Sequence, residues 1–239
     1  MFKKYKGKLY CFSPPVMLAT LIIEFCLAIY TLVRYKMTTI SRLATAILIT
    51  LGCFQLSEYM ICGGLGLTHI EWAKFGYITT ALLPALGIHL ISAIAGKKKP
   101  LLLSIAYATS IIFVTYFLIN NSALSGQECF ANYAVFYAHG IMSQLFGVYY
   151  SLWLIIGLYL AWQWSKQLPK KRKALRAVIL GNLLFILPTF FFNIIDPTTI
   201  KGIPSIMCGF AVIFALTLAI KVLPNSGIIR TLPKDKHKR

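Results

Sequence analysis

Seven long apolar stretches, set apart by short polar connections, organise this chain of 239 residues. They cover roughly Pro14–Tyr35, Thr38–Ile61, Trp72–Ala95, Pro100–Asn120, Ile141–Lys166, Leu175–Ile195 and Ile203–Leu223. Within each, apolar residues form continuous runs, not the period-two alternation over about ten residues that marks a membrane barrel strand. A hydrocarbon core about 30 Å thick takes about 20 apolar residues per helix. The pattern predicts an all-α polytopic membrane protein, a seven-transmembrane-helix bundle filling 1–223 as one domain. A basic tail, 224–239, follows and is too short to fold alone.

Composition agrees. Hydrophobic residues make up 58% and charged residues 13%, with mean hydropathy +0.74. A soluble chain carries about 25% charged residues, so this one lacks the polar surface to cover a water-facing body. The net charge of +18 would ordinarily suggest nucleic acid, but its distribution points elsewhere. Arg34, Lys36 and Arg42 flank the first connection, and Lys97, Lys98 and Lys99 fill the third. Lys166, Lys170, Lys171, Arg172, Lys173 and Arg176 crowd the fifth. Lys221, Arg230, Lys234, Lys236, Lys238 and Arg239 follow or close the last span. These are 18 of the 24 cations, all on one side of a seven-span topology.

The positive-inside rule makes that side cytoplasmic. The N-terminus is then outside and the C-terminus inside. Glu58, Glu71, Glu128 and Asp196 fall on the outer side. Trp72 sits at an outer boundary, and Trp162 and Trp164 at an inner one, as interfacial aromatic belts do. Lys74 and Lys201 are the only other outer cations besides Lys3, Lys4, Lys6 and Lys8. These four are the exception, and a re-entrant first segment with both ends inside is the alternative they raise. The first apolar run is spanning length, and Arg34 and Lys36 stand where a signal-peptide cleavage site would need small residues. It is expected to be retained and to span.

Ionisable residues within spans are costly and mark candidate sites. Glu24 lies near the middle of the first helix and His89 in the inner half of the third, at similar depths. They would pair if those helices touch, to relay a proton or hold a polar ligand, or as a structural bond. Gln55 and Glu58 are three apart and share a face near the outer end of the second helix. With Asn193 and Asp196 of the sixth they would line an outward-opening polar pocket, unless Glu58 and Asp196 only reach for water. The candidate ligand-binding set is therefore Glu24, Gln55, Glu58, His89, Asn193 and Asp196. Pro84 and Pro188 lie within spans and loosen their helices locally.

Of six cysteines, Cys26 and Cys53 are expected to pack within the membrane. Cys11, Cys62, Cys129 and Cys208 fall toward the outer side, where disulfides form. Cys62–Cys129 is the favoured pair and Cys11–Cys208 its complement. Free thiols remain open, as does a metal site with His69, Glu128 and His139, although no close ligand spacing supports one. The long connection 121–140 places Phe130, Tyr133, Phe136, Tyr137 and His139 at helix-like spacing. It is expected to form an interfacial helix over the bundle mouth, or an early start of the fifth helix.

No phosphate loop, dinucleotide fingerprint, H-E-x-x-H or G-x-S-x-G occurs, and His89 has no second histidine at its depth to hold haem. No cofactor is expected, and a membrane enzyme is the least favoured class. The expected partners are the lipid bilayer, anionic lipids at the cytoplasmic face and a separate signalling protein. No nucleic acid is expected.

Cys11-Phe12-Ser13 opening the first helix, with Gln55-x-x-Glu58 closing the second, resembles a bacterial seven-helix membrane family with no assigned activity. The stretch from Trp72 to Pro84, the basic connection after the fifth helix and Ile203-Pro204-Ser205 resemble the seven-helix sensor region of bacterial histidine kinases. That resemblance implies an outside N-terminus and a sensory role in the bacterial inner membrane. No coiled coil or kinase domain follows Leu223, so output through a fused kinase is not expected. The expected function is a receptor-like or sensory module binding a small or lipid-like ligand from the outer side. The alternative is a small transporter or channel, although the two halves show no convincing repeat.

Overall fold

The computed structural model describes residues 14–63, 68–120, 123–129, 134–138, 141–195, 197 and 203–228. Seven long helices make up most of it: α1 (Pro14–Arg34), α2 (Thr39–Gly63), α3 (His69–Ala95), α4 (Pro100–Ile119), α5 (Ile141–Gln167), α6 (Arg172–Ile195) and α7 (Ile203–Thr217). The last continues through a π-helical segment, Leu218–Val222, and a final turn, Leu223–Asn225. All seven are long and apolar enough to cross a membrane. α1 is a continuous 21-residue helix against α2, about 30 Å long at 1.5 Å per residue.

Local sequence sets the helix ends. Thr68 and Glu71 form a reciprocal capping box at the start of α3, a turn earlier than apolar content alone marks it. Gly96 ends α3 in the left-handed region at φ 68°, where only glycine is unstrained. Pro100 then opens α4. α6 begins at Arg172 rather than Leu175, since its basic first turn is helical although not apolar.

The connections bearing most cations meet at one end, here the lysine-rich end. There the Lys36 N–H donates to the Ile228 carbonyl at 3.0 Å, and the Tyr35 hydroxyl to the Ala219 carbonyl at 3.0 Å. Lys97 Nζ donates to Gln167 Oε1 at 2.6 Å and lies over the Trp164 ring. Lys166 likewise lies over Trp162, so both aromatics work at a polar boundary.

The helix order around the bundle follows from which faces meet. α2 packs on α1 and α3, α3 also on α4 and α5, and α7 on α6, α1 and α2. Glycines let these faces close: a Cβ on Gly76 would sit 2.6 Å from Ser57 Oγ, and one on Gly181 2.8 Å from the Phe214 ring. Small residues at contacts are how membrane helices approach. The core toward the lysine-rich end is mainly aliphatic and alanine-rich. Toward the other end it is aromatic, with Tyr77 and Phe117 4.6 Å apart and Phe113 and Tyr149 4.7 Å apart between ring centroids. Ile22, Val33, Ile112, Val148, Phe190 and Ile194 face outward, as lipid contact requires. Cys26 is exposed on this surface, so it faces the bilayer instead of packing inside.

The long connection differs from expectation. It forms an antiparallel hairpin, β1 (Leu124–Cys129) and β2 (Ala134–Ala138), pairing Gln127 with Phe136 and Glu128 with Val135. It is not the interfacial helix that aromatic spacing suggested. Val135, Phe136 and Tyr137 are strand formers and Gly126 disfavours a helix. Leu124 is buried in the aromatic core and β1 rests on α3. Phe130, Tyr133 and His139 lie outside the described residues.

Pro84 sits inside α3 and cannot donate to the turn before it. At that turn the Ala81 carbonyl accepts from Ser110 Oγ of α4 and from Tyr149 Oη of α5, both at 2.7 Å. These two bonds tie α3 to α4 and α5 one carbonyl beyond Thr80, whose helical donor Pro84 removes.

Candidate functional site

α1 and α2 approach closely where Gly52 faces the Phe25 ring; a Cβ there would lie 3.0 Å from it. This contact brings Glu24 beside the last turns of α2. Glu24 is fully buried, and neither carboxyl oxygen has a hydrogen-bond partner. Glu58 is 1% exposed. The Ser205 hydroxyl of α7 donates to its carboxyl, while Oε1 has no partner. Gln55, also 1% exposed, leaves Nε2 unpartnered. The neighbouring charge that Glu24 feels is that of Glu58, another acid. Both carboxyls lie within electrostatic reach of Cys208, one turn along α7 from Ser205.

Three of the sequence-derived candidates therefore converge between α1, α2 and α7. The expected Glu24–His89 pair does not form. His89 turns to α4, with Nδ1 2.9 Å from the Tyr107 hydroxyl, because α3 packs on α4 while α1 packs on α2 and α7. Asn193 is half-buried on α6. Asp196 lies outside the described residues, as do Cys11 and the side chains of Cys62 and Cys129, so the outward pocket through Asp196 and both disulfide pairings fall there. Cys208 is buried. Among the described residues no three His, Cys, Asp or Glu side chains converge on a metal position.

Burying a bare carboxylate costs several kcal/mol unless a donor or a cation stands beside it. Glu24 has neither among its hydrogen-bond partners. A proton on the pair, or a cation between the two acids, removes that cost. The arrangement is therefore suited to taking up positive charge inside the bundle.

Two cavities adjoin α7. One, of about 60 Å³, is bounded by α2, α3, α5, α6 and α7, with Gly87, Trp153, Phe185 and Phe214 in its walls and Asn182 as a polar contact. The second, of about 120 Å³, is walled by Thr80, Phe146, Gly147, Ser151 and Ile203. Tyr150, Met207 and Cys208 belong to both. Space persists here because α5 packs on α3 and α6 rather than closing onto α7. These cavities were not among the sequence-derived candidates. The available signal was Gly87, Gly147 and Gly157 recurring near Pro84 on facing helices.

Seven spanning helices around polar groups sealed from water define a multi-pass integral membrane protein. No protein-family model matches the chain, and no curated protein matches it.

Proposed function

We propose that this protein is a receptor-like, sensory membrane module that binds a small apolar or lipid-like ligand between α3, α5, α6 and α7. One observation carries the reading: two mainly apolar cavities share Tyr150, Met207 and Cys208, and Cys208 lies within electrostatic reach of Glu24 and Glu58. Ligand pockets are mostly apolar with a few convergent polar groups. The ligand enters between α5 and α7 from the end opposite the lysines, which the positive-inside rule makes the outer side. Occupancy shifts α7 against α5 and is read by a separate signalling protein in the bacterial inner membrane. The resemblance to kinase sensor regions supports that output.

The test is native mass spectrometry of protein extracted in mild detergent. A Cβ on Gly87 or Gly147 meets nothing within 4 Å, so Gly87→Leu and Gly147→Leu fill the space without an immediate backbone clash. Wild-type protein should release a bound apolar molecule and each variant should release far less. Equal occupancy in all three would sink the reading.

A second reading is favoured by the two buried acids alone, Glu24 without a hydrogen-bond partner and Glu58 with one free oxygen. In a small transporter, Glu24 and Glu58 would carry protons or a monovalent cation as the bundle alternates. Reconstituted vesicles would then show cation or proton flux that Glu24→Gln abolishes, and the filled cavities would matter less.

A further inference from the structure

A groove of about 480 Å³ opens at the lysine-rich end between the start of α2, the end of α3 and the start of α4. It is independent of the cavities above, and its wall collects donors. Thr38, Thr39, His89, Ser92, Lys97 and Lys98 all line it. Ser92 is 3% exposed, and its Oγ has no hydrogen-bond partner. A buried hydroxyl left without a bond is costly for a fold to retain. Serines elsewhere in these helices, such as Ser57 and Ser165, bond back to a carbonyl of the preceding turn. Ser92 does not, although that option is open to any helical serine.

His89 adds a second donor. Its Nδ1 is taken by the Tyr107 hydroxyl. When that hydroxyl donates, the ring proton sits on Nε2, free for the groove. Lys98 is exposed at the rim; Lys97 also lines the wall, with its ammonium donating to Gln167 on the α5 side. α4 starts here without a side-chain cap, so its first N–H groups add to the positive field. Ile40, Ala93 and Leu103 supply an apolar flank.

Donors, two lysines and no acid in the wall fit an anion; the apolar flank fits an acyl chain. We propose that this groove is a specific site for the phosphate headgroup of an anionic phospholipid of the adjacent leaflet. Ser92 and His89 donate to the phosphate oxygens and Lys97 and Lys98 balance its charge. This is narrower than the general attraction of basic loops to anionic membranes, which needs no built pocket.

The test uses full-length protein in nanodiscs of phosphatidylcholine, with or without phosphatidylglycerol, read by thermal midpoint and by native mass spectrometry of retained lipid. Ser92→Ala removes a hydroxyl that bonds nothing in the protein, so the variant should fold as well as wild type in phosphatidylcholine alone. Lys98→Gln removes one charge at the rim. Wild-type protein should retain phosphatidylglycerol and gain thermal stability from it. The double variant should bind it about tenfold more weakly, the scale of one charge-assisted contact. Equal retention by both proteins, or equal stabilisation of both, would reduce the effect to diffuse surface charge and overturn the site. Inorganic phosphate alone reproducing the full stabilisation would overturn the lipid assignment in favour of a free anion.

Discussion

Glu24 shows what one side chain reveals and conceals before its neighbours are known. An ionisable residue in the middle of an apolar run is conspicuous, and Glu24, Gln55 and Glu58 were all visible as candidates on that ground. Their grouping was only partly visible. Counting residues along a helix gives depth, and by depth Glu24 and His89 match. Lateral neighbours depend on which helix faces meet, and there Gly52 yielding to Phe25 decides for α2. The isolation of Glu24 carries a prediction. Glu24→Gln and Glu24→Leu should leave the thermal midpoint in detergent unchanged or raise it, since each removes a buried carboxyl that no hydrogen bond satisfies. Ligand binding or flux should suffer in the same variants, as stability and function trade against each other. A fall of several degrees in both would show that Glu24 has a structural partner.

At the scale of elements, the seven helices were legible because continuous apolar runs of spanning length have few other uses. Their ends were less so. Apolar content trimmed the first turns of α3 and α6, where Glu71 and Arg172 are helical but polar. The hairpin was misread because aromatic spacing in a short segment fits either period. Close approach between elements is where a single methyl group should be felt. Gly181→Ala places a Cβ 2.8 Å from Phe214 and 3.3 Å from Thr217. Overpacking of this kind costs about 1–3 kcal/mol, so the thermal midpoint should drop. Gly147→Ala, with open space at its Cβ, should not move it. Equal behaviour of the two variants would contradict the close α6–α7 contact at Gly181.

For the whole molecule, charge parcelling and fold tell one story. The cation-bearing connections converge on one end, through the Lys36–Ile228 and Lys97–Gln167 contacts, as a positive-inside topology requires. In intact cells, a cysteine placed at Ser122 should react with an impermeant thiol reagent. One at Lys98 should react only after permeabilisation, and the reverse pattern would invert the orientation. The cavities were the part the sequence concealed, because they arise from α5 and α7 failing to close over small residues, and the glycines near Pro84 mark them only once the facing helices are known. They also carry the central claim. The most direct measurement is an experimental density map of the protein purified with its native lipids into nanodiscs. It should show elongated density running from Thr80 and Ile203 past Cys208 toward Asn182. A collapsed space filled by Phe185 and Phe214, or an unbroken column of water through the bundle, would contradict it.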